Sequence, residues 1–575
     1  MVLRLVTGRQ SWPGLPSTLA LAGEVVVLLV AAGGITWGWR HTGGSRSRVD
    51  AAAAGMGRGP GIEALRPEAS RAGARRLIGR QATDDPATHG PLIGLSVAGR
   101  TPLRASWEDT AVVIAGPRTM KTSTQVIPDA LDAPGAVVIT SNKRDVADAL
   151  RGPRSANGDQ VWVFDPQDIA GQDPSWWWDP LARVRSVTQA RRLAAHFAAG
   201  SRVVGAQRDA FFDSTGEDLL ANLLLAAAVA TRLPTQDTRP ADGRGGQMGD
   251  GGHVREGGRP PSILAVYSWL TDSINRTPVD LLRHGGHTLS AQAVTGIIES
   301  PEKLRGSVYA TARQMAGCLI EPSVTAWVTP PADPHAPQLR TEEFVQSRQT
   351  LIALSREGEG SAAPLVTALI AAVLEAGEAV AARSPGGRLP RPMIAALDEA
   401  ANVCRIRNLP DLYSHYGSRG IILKTILQSW SQGEDVWGRG GMEKLWGSAN
   451  IKIYGGGGAD TAFLERLSKL IGERDVAHWS STWAQGKRSV QHSTQRLRVL
   501  DVAELGALPK GRAVVIASGM VPTLVIPQPW WQGPHATAVA ASLAIHDPGH
   551  TLPGQISPGQ GRSLRPDGAT RKTNG

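Results

Sequence analysis

One stretch of the chain, residues 111 to 122, constrains its fold more than any other. The apolar run AVVI (111–114) leads into GPRTMKT (116–122) and then into a segment typical of a helix. A buried strand, a tight turn and a Lys-Thr pair together predict a phosphate-binding loop. In such a loop, successive backbone N–H groups can surround the phosphates and the lysine can reach them. The hydroxyl that follows the lysine can bind Mg²⁺. The candidate nucleotide-binding residues are Gly116, Pro117, Arg118, Thr119, Met120, Lys121 and Thr122.

Met120 departs from the usual pattern of such a loop. The pattern G-x-x-x-x-G-K-[ST] has glycine at this position, immediately before Lys121. Glycine lets the backbone approach a phosphate closely, whereas methionine adds a Cβ and a long side chain. From this stretch alone two interpretations stay open: a nucleotide site, and a chance Lys-Thr pair after a strand.

A second strand ends in two acids. In MIAALDEAANVC (393–404) an apolar run leads directly to Asp398 and Glu399. At the carboxyl end of a strand, the first carboxylate can hold Mg²⁺ and the second can act as a general base toward an attacking water. The alternative is a helix N-cap, because an acid before Ala-Ala is also a plausible helix start. An apolar strand ending in Asp-Glu downstream of a strand followed by Lys-Thr is a more specific signal for a nucleotide site than either motif alone. We expect Thr122 and Asp398 to be the metal ligands.

A third strand, GIILKTILQS (420–429), ends near Gln428. A polar side chain at this position could sense the terminal phosphate, although an ordinary polar residue at a strand end gives the same pattern. Arg419, just before the strand, could supply an arginine finger to an adjacent subunit, where a positive charge offsets the charge that develops in the transition state. A surface role is the alternative. The candidate catalytic residues are therefore Glu399, Arg419 and Gln428.

The pattern of strands and helices predicts an α/β fold. Short β-branched runs at 111–116, 135–141 and 160–166 are typical of buried parallel strands with crossover helices between them. Helical patterns dominate residues 185–330, interrupted at 235–261 by a Gly-rich segment that we expect to be a flexible loop. Strand patterns return at 349–355, 393–399, 420–429, 450–456 and 511–518. We expect a nucleotide-binding domain in two parts, 100–184 and 331–545, an all-α insertion at 185–330 and a disordered tail at 546–575.

The N-terminal region carries the membrane signal. Residues 18–39, TLALAGEVVVLLVAAGGITWGW, are apolar apart from Glu24 and would form a helix of about 33 Å, enough to cross a bilayer. More arginines follow this span than precede it, so the positive-inside rule places the large C-terminal body in the cytoplasm. We expect a short segment at 1–17, a single-pass membrane helix at 18–39 and a juxtamembrane linker at 40–99. A cleaved signal peptide is the alternative.

Composition narrows the classes of partner. The formal net charge of +10 favours anionic partners such as nucleic acid or a membrane surface. Two cysteines far apart in sequence and thirteen histidines without ligand spacing suggest neither a disulfide framework nor a zinc site, so we expect no metal beyond Mg²⁺. Three adjacent tryptophans at 176–178 are expected to pack at the junction with the helical region, with base stacking as the alternative.

As a set, these motifs resemble the TraG/TraD family of type IV coupling proteins, the membrane-anchored ATPases of conjugative DNA transfer. The resemblance is carried by GPRTMKTSTQVIPDAL, VVITSNKRDV and LDEAANVCRIRNLPDLYSHYGSRG followed by TILQSWSQ, and actinobacterial members are especially similar. It extends from about residue 100 to 530. It implies Lys121 and Thr122 as Walker A, Asp398 and Glu399 as Walker B, Gln428 as the sensor and Arg419 as the finger. Two features depart from the family: one evident membrane span where two are common, and Met120 in place of glycine.

The resemblance also implies a fold and a function. The expected fold is a RecA-like P-loop nucleotide-binding domain with an inserted all-α domain, assembled as a homo-hexameric ring. The expected ligands are ATP and Mg²⁺, and the expected partners are single-stranded DNA, a relaxase and the components of a type IV secretion channel. Two other functions stay open: a nucleotide-binding docking receptor with little hydrolysis, and a double-stranded DNA pump of the FtsK type.

Overall fold

The computed structural model describes residues 47–202, 209–233, 262–358, 361–484 and 487–549, with the backbone alone between 477 and 493. The chain divides into two compact units, one ending at Gly55 and one beginning at Met56. In the described part of the first unit, a short helix, α1 (Arg48–Ala52), begins after Ser47, whose side chain accepts a hydrogen bond from the Asp50 N–H. The predicted segment 1–17 and membrane helix 18–39 lie outside the described residues.

The strands of the second unit form an eleven-stranded sheet and a separate two-stranded ribbon. In chain order the strands are β1 (Leu92–Ser96), β2 (Pro102–Arg104), β3 (Ala111–Ile114), β4 (Val137–Ser141), β5 (Val161–Phe164), β6 (Thr350–Leu354), β7 (Met393–Leu397), β8 (Ile421–Leu427), β9 (Ile451–Tyr454), β10 (Glu473–Ala484), β11 (Lys487–Arg498), β12 (Ala513–Ala517) and β13 (Thr523–Ile526).

The large sheet has a parallel part and an antiparallel edge. Its strand order is β2-β1-β13-β12-β9-β3-β8-β7-β4-β6-β5. From β9 to β5 all neighbours are parallel, whereas β12, β13, β1 and β2 add antiparallel pairs beside β9. The central strands β3, β4, β6, β7 and β8 are buried along their whole length, as their continuous apolar runs predict for a parallel sheet covered on both faces. The mixed α/β fold with a large parallel sheet therefore agrees with the sequence-based expectation.

The helices of the second unit lie before, between and after these strands. In chain order they are α2 (Pro67–Ile78), α3 (Ile127–Asp132), α4 (Asp145–Ser155), α5 (Val187–Ser201), α6 (Ala210–Ala230), α7 (Ile263–Thr271), α8 (Thr277–His284), α9 (Thr288–Ile298), α10 (Glu302–Met315), α11 (Pro322–Thr325), α12 (Thr341–Phe344), α13 (Ala363–Arg383), α14 (Ala400–Val403), α15 (Leu409–Leu412), α16 (Trp430–Ser448), α17 (Thr461–Ile471), α18 (Val502–Gly506) and α19 (Ala536–His546).

Between β5 and β6 the regular elements of the described residues are all helical, from α5 to α12. Ser186 and Asp209 cap the first two of these helices with side-chain oxygens that accept backbone N–H groups. Helix α6 packs against α5, α7, α8, α9 and α10, and α5 in turn packs against α13. This is the region that the sequence predicts as an all-α insertion, although its Gly-rich segment at 235–261 lies outside the described residues.

Tryptophans join the helical region to the sheet. The ring centroid of Trp176 lies 5.3 Å from that of Trp327 and 6.0 Å from that of Phe164 at the end of β5. Trp176 and Trp178 are buried. These contacts support packing at the junction rather than base stacking for these two rings.

The expectation of a linker at 40–99 is wrong for the residues that the structure describes. Helix α2 and strand β1 lie in this range, and β1 pairs with β13 and β2 at the antiparallel edge of the sheet. The Gly-, Ala- and Arg-rich composition of this range led to the linker prediction. The range nevertheless contains an amphipathic helix, whose buried face includes Ala74 and Ile78. The α/β domain therefore begins before residue 100. At the other end α19 extends to His546, and the predicted tail from 550 onward lies outside the described residues.

One helix of the described residues, α13, is long and apolar enough to cross a membrane, but 72% of its apolar window is buried inside the protein. It is a core helix, packed against α5, α12 and α14.

The ribbon β10–β11 was not expected from the sequence. Its twelve backbone pairs run from Glu473–Arg498 to Ala484–Lys487.

Candidate nucleotide site

The loop after β3 is built around Gly116. A Cβ at this position would lie 2.4 Å from the carbonyl oxygen of Gly457, so only glycine fits between the loops that follow β3 and β9. The N–H of Gly116 donates to the carbonyl of Gly456 at 2.9 Å. The hydroxyl of Thr119 donates to the carbonyl of Gly116 at 2.7 Å and closes the turn. Pro117 and Arg118, between them, are exposed.

Met120 has a left-handed backbone conformation, which glycine adopts without steric cost. Its φ is 64°, and that of Arg118 is 60°, whereas Lys121 is right-handed at φ −53°. A left-handed residue costs roughly 1–2 kcal/mol when it carries a Cβ. Alternation of left- and right-handed residues turns successive N–H groups toward one concavity, which favours an anion. The backbone therefore fits a phosphate, and the cost of Met120 is strain rather than a different loop path.

The Asp-Glu pair follows β7, two strands away from β3. The carbonyl of Asp398 accepts a hydrogen bond from the Thr140 hydroxyl of β4 at 2.8 Å. Glu399 is left-handed, with φ 54°, so the chain turns sharply at the strand end before the one-turn helix α14. Both acids are buried. Glu399 occupies the N-cap position of α14, the alternative that the sequence left open, but its side chain makes no capping hydrogen bond. Its carboxylate is directed to other side chains instead.

The two strand ends meet. Lys121 Nζ lies 2.6 Å from Glu399 Oε1, and Thr122 Oγ1 donates to Asp398 Oδ2 at 2.8 Å. Burial raises the pKa of Asp398 to about 6, an effect that the Lys121 ammonium and the Thr122 hydroxyl partly offset and that the Glu399 carboxylate reinforces. A partly buried hydroxyl beside a buried carboxylate is the oxygen set that suits Mg²⁺.

Gln428 joins the same cluster because β8 lies between β3 and β7 in the sheet. Its Nε2 donates to Glu399 Oε2 at 2.8 Å, while its backbone N–H donates to the Gln432 side chain at 3.0 Å. Of the predicted site residues, Lys121, Thr122, Asp398, Glu399 and Gln428 are thus in mutual contact through one hydrogen-bond network.

Arg419 does not belong to this cluster. It precedes β8, whereas Gln428 follows it, so the seven residues of β8 separate them by about 20 Å at ~3.3 Å per residue. Its Nη1 lies 3.2 Å from Glu378 Oε1 of α13. Arg419 therefore cannot reach the nucleotide site of its own chain without leaving its place beside the sheet.

Three residues near Glu399 were not predicted as part of the site. Asn402 Nδ2 donates to Glu399 Oε2 at 3.4 Å and to Glu357 Oε1 at 2.8 Å, and Asn142 Nδ2 donates to the same Glu357 oxygen at 2.8 Å. Asn402 could have been found from its position three residues after Glu399. Glu357 and Asn142 carry no spacing signal, since only the neighbouring places of β4, β6 and β7 in the sheet bring them together.

Across the described residues, no group of three or more His, Cys, Asp or Glu side chains could hold a metal by itself. A magnesium ion here would depend on Thr122, Asp398 and oxygens of the nucleotide. That division of ligands is usual for Mg²⁺, which binds one or two protein oxygens plus substrate phosphates.

Comparison with known proteins agrees with the motifs. Residues 392–510 match the family model described as the TraM recognition site of TraD and TraG, a range that contains Asp398, Glu399, Arg419 and Gln428. No curated protein sequence is significantly similar to the chain.

Solved structures show the fold. The bacterial conjugative coupling protein TrwBdeltaN70 is similar in an unbound monoclinic form and in a trigonal form in complex with sulphate, at TM-scores of 0.51 and 0.53. Each shares 17% sequence identity and covers 79% of this chain and 92% of its own. VirB4 of Thermoanaerobacter pseudethanolicus has 12% identity, 78% and 98% coverage and a TM-score of 0.43. Residues 392–510 are thus similar to a family model of TraD and TraG, and the fold is shared with a conjugative coupling protein.

Proposed function

We propose that the chain is a membrane-anchored coupling protein that hydrolyses Mg·ATP to move single-stranded DNA, with its relaxase, toward a type IV secretion channel. One observation carries the proposal: the segments after β3 and β7 bring an ammonium, a hydroxyl and two carboxylates into contact at 2.6 and 2.8 Å, between residues 278 and 276 positions apart in sequence. This set, on a loop with the backbone of an anion site, suits a nucleoside triphosphate with its magnesium ion.

Each side chain has a role that its contacts support. Lys121 would exchange Glu399 for the phosphates when nucleotide binds. Thr122 and Asp398 would hold Mg²⁺, which supplies positive charge to the transferring phosphoryl group. Glu399, released from Lys121, would accept the proton of the attacking water, and Gln428 would hold the second oxygen of that carboxylate.

The partners follow from charge and geometry. The net charge of +10 favours a polyanion, and phosphate contacts bind nucleic acid without sequence preference. Arg419, remote from its own site, could complete the site of a neighbouring copy, which supports a ring of subunits such as a hexamer. The apolar span at 18–39 would anchor the body at the cytoplasmic face of the membrane.

ATP turnover by the full-length chain, with and without single-stranded DNA, tests this function. We expect DNA to raise the rate and Lys121→Ala to abolish it, because the variant loses the charge that meets the phosphates. A Lys121→Ala variant as fast as the parent would contradict the proposal. Duplex DNA is the comparison substrate: stimulation by duplex alone would favour a pump of the FtsK type.

A docking receptor that binds ATP with little hydrolysis is the second candidate, and the strained backbone of Met120 favours it. The receptor should bind ATP at the site but show no DNA-stimulated turnover, and Met120→Gly should bring turnover up. DNA-stimulated ATP turnover in the parent would favour the DNA-translocating ATPase over the docking receptor.

A further inference from the structure

The carboxylate of Glu399 is held differently at its two oxygens. Oε1 faces the Lys121 ammonium at 2.6 Å. Oε2 accepts two side-chain amides, Gln428 Nε2 at 2.8 Å and Asn402 Nδ2 at 3.4 Å. When Lys121 turns to the phosphates, Oε1 becomes the free acceptor, while the amides still hold Oε2.

Asn402 is itself fixed in place. Its backbone N–H donates to the Glu399 carbonyl at 2.8 Å, at the start of α14. Its side-chain amide has two hydrogens, and the second contact goes to Glu357 Oε1 at 2.8 Å. Glu357 also accepts the amide of Asn142 at 2.8 Å, so the bridge joins the ends of β4, β6 and β7.

A hydrogen bond to an ionised acceptor is stronger than a neutral one, and the Glu357 carboxylate holds the Asn402 amide through such a bond. Rotation of Asn402 to any other partner would break its contact with Glu357. The amide therefore keeps its other hydrogen directed toward Glu399. The other two side chains that contact the Glu399 carboxylate are Lys121, which would turn to the phosphates, and Gln428, which follows a different strand.

We propose that Asn402, held by Glu357, is a positioning residue that fixes Oε2 of Glu399 so that Oε1 faces the attacking water. The inference rests on the proposed ATPase function and adds two residues to it. Misplacement of a general base by a fraction of an ångström is enough to slow a reaction strongly, since proton transfer depends on hydrogen-bond geometry.

The test compares kcat and KM for ATP in Asn402→Ala and Asn402→Asp with those of the parent. We expect kcat to fall about tenfold in Asn402→Ala, with KM and the affinity for a non-hydrolysable ATP analogue unchanged within about twofold. The kcat of Asn402→Asp should fall at least as far, because a carboxylate oxygen cannot donate a hydrogen bond to Glu399 and its negative charge repels that of the Glu399 carboxylate. A variant that was merely less stable would lose binding along with turnover.

Two further variants separate positioning from general damage. Glu357→Gln keeps an acceptor for Asn402 and should retain most of kcat, whereas Glu357→Ala should approach Asn402→Ala. Asn222→Ala is the matched control, because this amide donates to the carbonyl of Asp218 on an exposed face of α6. It should leave both constants unchanged.

The outcomes also distinguish this inference from the proposed function. An active parent with an unchanged kcat in Asn402→Ala overturns the role of Asn402 alone. A parent that binds ATP but has no turnover overturns both. A raised KM with unchanged kcat would place Asn402 in nucleotide binding and would also overturn the positioning role.

Discussion

At the scale of single residues, Met120 is one of three left-handed residues with a β-carbon at the site, together with Arg118 and Glu399. Its φ of 64° places a β-carbon where the usual pattern has none. Glycine adopts this conformation without the steric cost, so Met120→Gly should raise the free energy of unfolding by up to about 1 kcal/mol and raise ATP turnover. Thermal unfolding and steady-state ATPase rates measure the two effects.

The control for Met120 is Arg100, which is also left-handed, with φ 58°, but lies in the turn between β1 and β2. Arg100→Gly should change stability in the same direction and leave turnover as it is. Slower turnover in Met120→Gly than in the parent would contradict the view that methionine is a handicap there.

A buried ion pair joins β8 to helix α3, which follows the loop that contains Met120. Lys424 in β8 is paired with Asp129 of α3, and its ammonium also donates to Gln125 at 3.1 Å. Burial raises the pKa of Asp129 from its ordinary value of 3.8 to about 6, partly offset by Lys424. Because the folded-state pKa is raised, the contribution of this group to stability is complete below about pH 4 and is lost as the pH rises through 6.

Lys424→Met removes the offset, so the pKa of Asp129 should rise further and its carboxylate should be left without a counterion. The loss of unfolding free energy relative to the parent should therefore grow from pH 5 to pH 8 and reach about 3–5 kcal/mol. Urea unfolding at several pH values measures it. Lys444→Met, which breaks an exposed pair with Asp411, should show little loss at any pH. A loss independent of pH would mean that Asp129 is neutral throughout.

At the scale of elements, the segment after the two acids ties the site to the all-α region. Arg407, eight residues beyond Glu399, donates to both oxygens of Glu217 on α6, at 3.1 and 2.8 Å. Arg405 donates to the carbonyl of Arg202, at the end of α5. A change in the Glu399 turn would therefore move the ends of two helices of that region.

Charge reversal tests this connection. Arg407→Glu and Glu217→Arg should each reduce stimulation of turnover by single-stranded DNA severalfold, and the double variant should recover it, because the pair is restored with the signs exchanged. Stability should change by about 1 kcal/mol or less, since the pair is partly exposed. Reversal of Arg439, paired with Glu443 on the surface of α16, is the control. Failure of the double variant to recover would argue against transmission through this contact.

Elements also differ in how well the sequence predicts them. Eight strands with continuous apolar runs, such as Val137–Ser141 and Met393–Leu397, lie where the pattern places them, because burial on both faces selects such runs. The other three strands of the antiparallel edge were missed, since β2 and β13 have only three and four residues and β1 contains glycine. The sequences of β10 and β11 are mostly polar and carry little apolar signal. Contacts such as Glu357 with Asn402 depend on strand order, which local patterns do not encode.

At the scale of the whole molecule, the proposal that copies of the chain share their sites depends on Arg419. It lies at the opposite end of β8 from Gln428, beside Glu378, and could act only on the nucleotide of another copy. Mixing Lys121→Ala chains with Arg419→Ala chains should then recover turnover, because a mixed assembly contains sites with both groups intact.

The matched mixture is Lys121→Ala with the Lys121→Ala, Arg419→Ala double variant, which has no intact loop in any site and should stay inactive. The ATPase rate across mixing ratios measures the recovery, with sedimentation to verify that mixed assemblies form. Mixed assemblies without recovery would count against an arginine supplied by a neighbour.

The proposed ATPase function depends most on the contact between the residues that follow β3 and those that follow β7, at which one nucleotide would bind. The direct measurement is ATP binding and ATP turnover by full-length Glu399→Gln. We expect it to bind Mg·ATP at least as tightly as the parent, since Lys121 is freed from its ion pair, and to lose turnover by about 10²-fold or more, since an amide cannot accept the proton. Turnover equal to that of the parent would contradict the account.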